Sequence, residues 1–301
     1  MSNKNEILTL IVPLPVIMTK DSIFALVAEV FKRLDQLPNR IVLDFTKLRE
    51  IQVGGVTILC NLIGYFRHRG LTVEFRAAEY CDASVFVASS GLLSLAKPEG
   101  VSPSATASFL PIRLVEYSNS HSYMYFDLVP WLARNIGCHD RALATLRVCF
   151  EEIFNNIRDH SKLTVGCGAA HYDATSGKII ICVSDFGVGI PARVKAATEI
   201  KTDAGAIAKA CVEGFTTKTT ERNMGAGLYV LIKNVVEWNK GTVVIHSGRG
   251  IYTCTPGPQL GTSKRVGRTA NFTYPGTMIR ITLQKSDFRP DEVNEEEFQW
   301  D

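Results

Sequence analysis

The chain has 301 residues, long for one ordinary domain, and two domains of about 100 to 200 residues fit it better. It is 46% hydrophobic and 21% charged with a formal net charge of +3. That is the balance of a soluble globular protein with a sizeable core, and it supplies no electrostatic argument for nucleic acid or an anionic membrane. The longest apolar stretches, such as residues 7–18, are interrupted by prolines and fall short of the roughly 20 residues of a transmembrane helix.

In chain order, the amino terminus lacks a basic segment followed by an unbroken apolar run, so no secretory signal is expected. Strand and helix patterns then alternate. Residues 7–12, 40–45 and 72–77 read as strands, and residues 22–37, 55–68 and 83–95 as helices. Such alternation with short connections predicts a small α/β domain. Turn formers collect at Lys97-Pro98-Glu99-Gly100-Val101-Ser102-Pro103-Ser104, which divides the chain into residues 1–104 and 105–288. In the second part, helical spacing covers residues 123–136 and 141–160. A strand pair follows at 165–171 and 178–185. After a glycine-rich turn come a helix near 204–212 and another from about Ala226. β-like runs occupy 242–246, 250–254 and 277–283, and an acidic tail, 289–301, closes the chain. The eight cysteines form no Cys-x-x-Cys pair, and Cys60, Cys149 and Cys182 sit among apolar neighbours. Reduced core thiols in a cytoplasmic protein are expected, rather than a disulfide framework or a zinc site.

Three stretches carry chemistry. In Phe150-Glu151-Glu152-Ile153-Phe154-Asn155-Asn156-Ile157-Arg158-Asp159-His160, the apolar residues Leu143, Leu146, Phe150, Ile153 and Ile157 make a core stripe. Glu152, Asn156 and Asp159 share one helix face, and His160 lies one turn beyond Asn156. Such a face can hold a hydrated Mg²⁺ and orient a water, and it equally suits a polar side turned to solvent. The second stretch is an apolar strand ending in Asp185, followed by Gly187 and Gly189. Its turn lets a flat ligand approach the backbone beside a carboxylate that accepts hydrogen bonds from an amino-substituted ring. Many strand-to-loop turns share this form. In the third, Phe215-Thr216-Thr217-Lys218 precedes Asn223-Met224-Gly225-Ala226-Gly227-Leu228. Glycines at a helix start leave backbone N–H groups free for an anion, or serve only a turn.

In this order the three stretches resemble the GHKL superfamily of ATP-binding domains, which includes gyrase-type ATPases, histidine kinases and anti-sigma-factor kinases. The likeness spans residues 119–285, and Tyr274-Pro275-Gly276-Thr277 before the last strand fits it. The resemblance implies an α/β sandwich binding ATP and Mg²⁺. Asn156 would ligand the metal, Asp185 would bind the adenine amino group and Glu152 would be the general base. Gly225 and Gly227 would bracket the phosphates, Lys218 would neutralise them, and Asp159, His160, Gly187, Gly189, Asn223, Ala226 and Leu228 would complete the nucleotide site. Phe186 departs from the small or polar residue common in relatives and is expected to reshape the pocket wall. Residues 256–269 resist assignment.

The first part, residues 6–95, resembles the STAS fold of anti-sigma-factor antagonists through Arg40-Ile41-Val42-Leu43-Asp44-Phe45-Thr46 and Gly54-Gly55-Val56 at a helix start. Where the antagonists carry a phosphorylatable serine, this chain has Gln52-Val53-Gly54-Gly55, with Thr57 inside the first turn. The combined expectation is a Mg-ATP-binding ATPase whose cycle regulates a protein partner through the STAS-like part. The alternatives are a serine/threonine kinase of the anti-sigma type and an ATP-gated module without turnover. A histidine kinase fits poorly, since neither His121 nor His139 is followed by the usual acidic residue and Thr-Pro together. Relatives often dimerise, so a homodimer is compatible.

Overall fold

The computed structural model describes residues 8–34, 38–96, 103–116, 121–160, 165–216 and 227–291. It is mixed α/β, with a parallel three-stranded sheet followed by an antiparallel five-stranded sheet.

In the first sheet β1 (Thr9–Pro13), β3 (Arg40–Asp44) and β5 (Thr72–Arg76) lie side by side in that order. Parallel neighbours need crossovers, which α1 (Lys20–Arg33) and α2 (Val53–His68) supply. A two-residue pairing of β2 (Ile17–Met18) with β4 (Glu50–Ile51) stands just before the two helix starts. Thr19 and Ser22 close a capping box on α1, satisfying donors that the first turn leaves free. The helix expected over 83–95 is split into α3 (Ser84–Ser89) and a 3₁₀ turn (Leu92–Ala96), because Gly91 between them takes φ +80°.

Helix α2 joins the two halves. Every residue from Val53 to Ile63, and Phe66, is buried, and a helix apolar on all sides needs a partner on each. It packs on β5 of the first sheet and on β7 (Val165–Asp173) and β8 (Lys178–Asp185) of the second. Gly54 permits the approach: a Cβ there would stand 2.9 Å from Met278 Cε. One apolar cluster therefore runs from Val12 and Val27 through Leu59 and Leu62 to Cys167, Cys182 and Met278.

The second sheet has the order β6 (Phe109–Glu116), β7, β8, β10 (Ser263–Gln284), β9 (Thr242–Pro256). Alternation along β8 sends Cys182 into the cluster with α2. Ile179, Ile181 and Val183 face a second cluster. That cluster holds Trp131 and Leu132 of α4 (Val129–Ile136), Phe150 and Ile153 of α5 (Ala144–His160), and Leu231 and Ile232 of α8 (Gly227–Ile232). The antiparallel sheet thus lies between two helical layers, one from each half of the chain.

Several elements differ from the sequence reading. β6 was not anticipated, since Pro111 argues against a central strand; it is an edge strand with a register shift between Leu110 and Arg113. Helix α6 (Gly189–Ala197) occupies what reads as a turn, followed by α7 (Asp203–Ala210). The two runs at 242–246 and 250–254 are one strand, and residues 256–269 are the far end of its hairpin, with Ser263–Thr269 pairing back onto Gly250–Pro256. Of the acidic tail, residues 289–291 are described; Asp291 accepts the Thr145 N–H (2.8 Å) at the start of α5. All eight cysteines are free, seven of them buried. Among the described residues no helix is long and apolar enough to cross a membrane.

Candidate functional site

The apolar run of β8 delivers Asp185 into the interior, 3% exposed, between Gly166 of β7 and Thr277 of β10. Alternation aims its side chain toward the layer holding α5. Burial pushes its carboxyl up to about 7, opposed only by a hydrogen bond from the Thr277 backbone. Oδ1 is buried without a hydrogen-bond partner among the described residues. Such an oxygen carries a desolvation cost that an incoming N–H donor would remove.

The turn after Asp185 is locked by close backbone packing. Gly189 takes φ +73° at the start of α6, and a Cβ there would meet Ser247 Oγ at 2.6 Å and the Gly276 carbonyl at 2.8 Å. Ser247, fully buried, donates to the Gly276 carbonyl (2.7 Å) and accepts the Ile190 N–H (2.9 Å), with Thr277 Oγ1 at 3.1 Å. Gly276 in turn sits where a Cβ would overlap the Asp185 carbonyl oxygen and stand 2.6 Å from the Gly187 nitrogen. Thus Asp185, Gly187, Gly189 and the Gly276-Thr277 pair form one unit. Ser247 completes it and was missed, because a lone serine after a strand carries no pattern. Phe186, with Gly187, Val188 and Pro275, lines a pocket beside this turn on the side of Tyr65. Phe186 faces the amino-terminal core, with ring centroids 5.9 Å from Phe31 and 6.1 Å from Tyr65.

A second pairing joins the first and third stretches. Glu152, half-buried on α5, lies directly against Gly227, the first residue of α8. A Cβ on Gly227 would overlap the Glu152 Cβ and stand 3.3 Å from Oε2. Leu228 is buried in the cluster beneath. Asn156, Asp159 and His160 follow on α5, but their side chains lie outside the described residues, as do Lys218, Asn223, Gly225 and Ala226 entirely. Among the described residues no group of three or more His, Cys, Asp or Glu is placed to hold a metal ion.

The same strand end is tied to the amino-terminal half. Asn61 of α2 donates to Ser184 Oγ (2.9 Å), and Ser184 also bonds the Tyr274 hydroxyl and the Thr277 carbonyl (3.1 Å). Cys167 Sγ donates to Asn61 Oδ1 (3.0 Å) and the Thr57 carbonyl (3.1 Å). Thr57 itself is fully buried, its hydroxyl bonded to the Val53 carbonyl (2.8 Å).

No family model matches the chain, and no curated protein matches it. Among solved structures, the crystal structure of the N-terminal domain of a DNA repair protein is similar at 14% identity over 36% of this chain and 27% of that one. The chain therefore spans about a quarter of that structure's length, and the TM-score of 0.16 is too low to bear on fold or function.

Proposed function

We propose that the chain is a Mg-ATP-binding ATPase of the GHKL type, fused to a STAS-like unit, whose nucleotide cycle regulates a partner protein. The observation that carries this reading is Asp185: a buried carboxylate with one oxygen unpartnered among the described residues, at the end of an apolar strand and beside a glycine turn. An adenine amino group is the kind of donor that would satisfy it. The contact of Glu152 with Gly227 supports a second part of the reading, in which a carboxylate and a helix start share one place. Backbone N–H groups there suit phosphate, and Glu152 would take the proton of the attacking water. Asn156 would hold Mg²⁺, which when bound neutralises phosphate charge; Lys218 would add to that neutralisation.

The partner is taken to be a separate protein. The stretch Val53-Gly54-Gly55 is buried and Thr57 is committed to a backbone carbonyl, so self-phosphorylation of this helix start is disfavoured. Helices α1 and α2 pack on the chain's own second sheet. Docking through the first unit would therefore use other surface, such as Tyr80 (87% exposed) and Val85 (78% exposed).

Calorimetry with Mg-ATP and a phosphate-release assay test the reading. Asp185→Asn is expected to weaken ATP binding roughly 10- to 100-fold, the worth of a hydrogen bond to a charged group. Glu152→Ala is expected to keep binding and lose about 10²- to 10⁴-fold in turnover. Equal ATP affinity in wild type and Asp185→Asn would sink the site. Unchanged turnover in Glu152→Ala would remove its role as base.

A further inference from the structure

The opposite face of the antiparallel sheet, away from Asp185, holds a cavity of about 370 Å³, within the range of small-molecule sites. Its floor is Ile180 of β8, Val244 of β9 and Met278 of β10. Ile23 and Phe24 of α1 form one wall, and Ile251, beyond the bulge in the β9–β10 pairing, forms another. This floor is apolar, and polar residues complete the lining. Thr242, Thr253, Thr255 and Thr282 line it, together with Gln52, His246, Arg268 and Arg280, and among the described residues no carboxylate does.

Arg280 is the decisive residue. It lies near the carboxy-terminal end of β10, between β8 and β9, with Met278 and Thr282 on the same strand face, paired across to Val244 and Cys182. It is half-buried, and among the described residues no carboxylate forms an ion pair with it. A cation drawn partly out of water over an apolar floor is costly, and an entering anion would offset that cost through charge-assisted hydrogen bonds. We propose that this cavity binds a small amphipathic anion, with a carboxylate or phosphate head on Arg280 and the threonine hydroxyls and an apolar body over Ile180, Val244 and Met278. The site stands apart from the Asp185 turn, and the inference does not depend on the nucleotide reading.

Decanoate is a suitable probe and decanol its uncharged counterpart, each titrated calorimetrically into the full chain. Decanoate is expected to bind one site per chain, with decanol and Arg280→Gln each weakening binding about tenfold or more, the scale of a lost charge-assisted contact. Thr253→Phe, which fills the cavity, is expected to abolish binding. Arg280→Lys keeps the charge without the fork and should fall between wild type and Arg280→Gln, which separates recognition from misfolding. No binding to wild type, equal affinity for decanoate and decanol, or binding untouched by Arg280→Gln or Thr253→Phe in variants that melt like wild type would overturn the proposal.

Discussion

Gly227 and Glu152, far apart in the chain, are in direct contact: the first residue of α8 has no room for a Cβ because the Glu152 Cβ occupies that space, with its Cγ at 2.9 Å. The obstructing atoms are the stem of the side chain, which cannot swing aside without moving α5. Gly227→Ala is therefore expected to destabilise the protein by about 1 to 3 kcal/mol, the usual cost of overpacking, although alanine is the better helix former. Urea denaturation should show a lower midpoint at unchanged slope. An unchanged midpoint would mean that the two helices separate at no cost.

The carboxyl of Asp185 sets a pH dependence whose sign follows from its burial. Its folded-state value, about 7, lies above the ordinary carboxylate value, so between roughly pH 4 and 7 the folded chain holds a proton that the unfolded chain has released. Stability from this group is complete below that window and is lost as pH rises through 7. The displacement corresponds to roughly 4 kcal/mol as an upper bound. Asp185→Asn should flatten the dependence, so that the variant gains on wild type as pH rises from 5 to 8. Ligand binding through an N–H donor favours the ionised form, so nucleotide affinity should instead fall as pH drops below 7. Parallel stability curves for the two proteins would deny that Asp185 is the titrating group.

Gly189 and Ser247 should prove energetically coupled. Gly189→Ala forces a side chain into φ +73°, at about 1 to 2 kcal/mol, and drives its Cβ against Ser247 Oγ and the Gly276 carbonyl. Ser247→Ala removes the hydroxyl but leaves the Ile190 N–H, which it had accepted, without that partner. In a double-mutant cycle by denaturation, Gly189→Ala should cost less in the Ser247→Ala background than in wild type. The left-handed strain should remain. Strict additivity would mean that the hydroxyl does not crowd position 189.

Much of this arrangement is visible in the residues, and the rest is hidden for identifiable reasons. The strand that ends in Asp185 is plain because a run of isoleucines and valine can only be a buried strand. The Asp185 turn with its two glycines is a common form, and Asp185 is singled out only by the order of this turn with the helix before it and the glycine-rich helix start after it. The α5 stripe is equally plain. By contrast, the run from Val53 to Ile63 reads as a helix, yet its demand for two partners shows only when all its faces are counted together. β6 is masked by Pro111, and the hairpin at 256–269 by its lysine, arginines and glycines, which are tolerated because Ser263–Thr269 is largely exposed. Contacts such as Gly227 with Glu152, or Ser247 with Gly276, are tertiary and leave no local period.

Asn61 offers the sharpest test of whether the two halves behave as one. It is buried on α2, donating to Ser184 of β8 and accepting from Cys167 of β7. Asn61→Leu keeps the branched shape and removes these bonds, together with the longer one to the Tyr274 hydroxyl (3.4 Å). Ser184 retains Tyr274 and the Thr277 carbonyl, and Cys167 retains the Thr57 carbonyl, so the loss should be about 1 to 3 kcal/mol rather than more. Because the same apolar cluster holds α2 and one face of β8, the two elements should open together. Amide exchange in α2 and in β8 should quicken by the same factor in the variant. A selective loss of protection in α2, with β8 unchanged, would show instead that the amino-terminal half undocks as a separate unit and that the strand carrying Asp185 does not sense its departure.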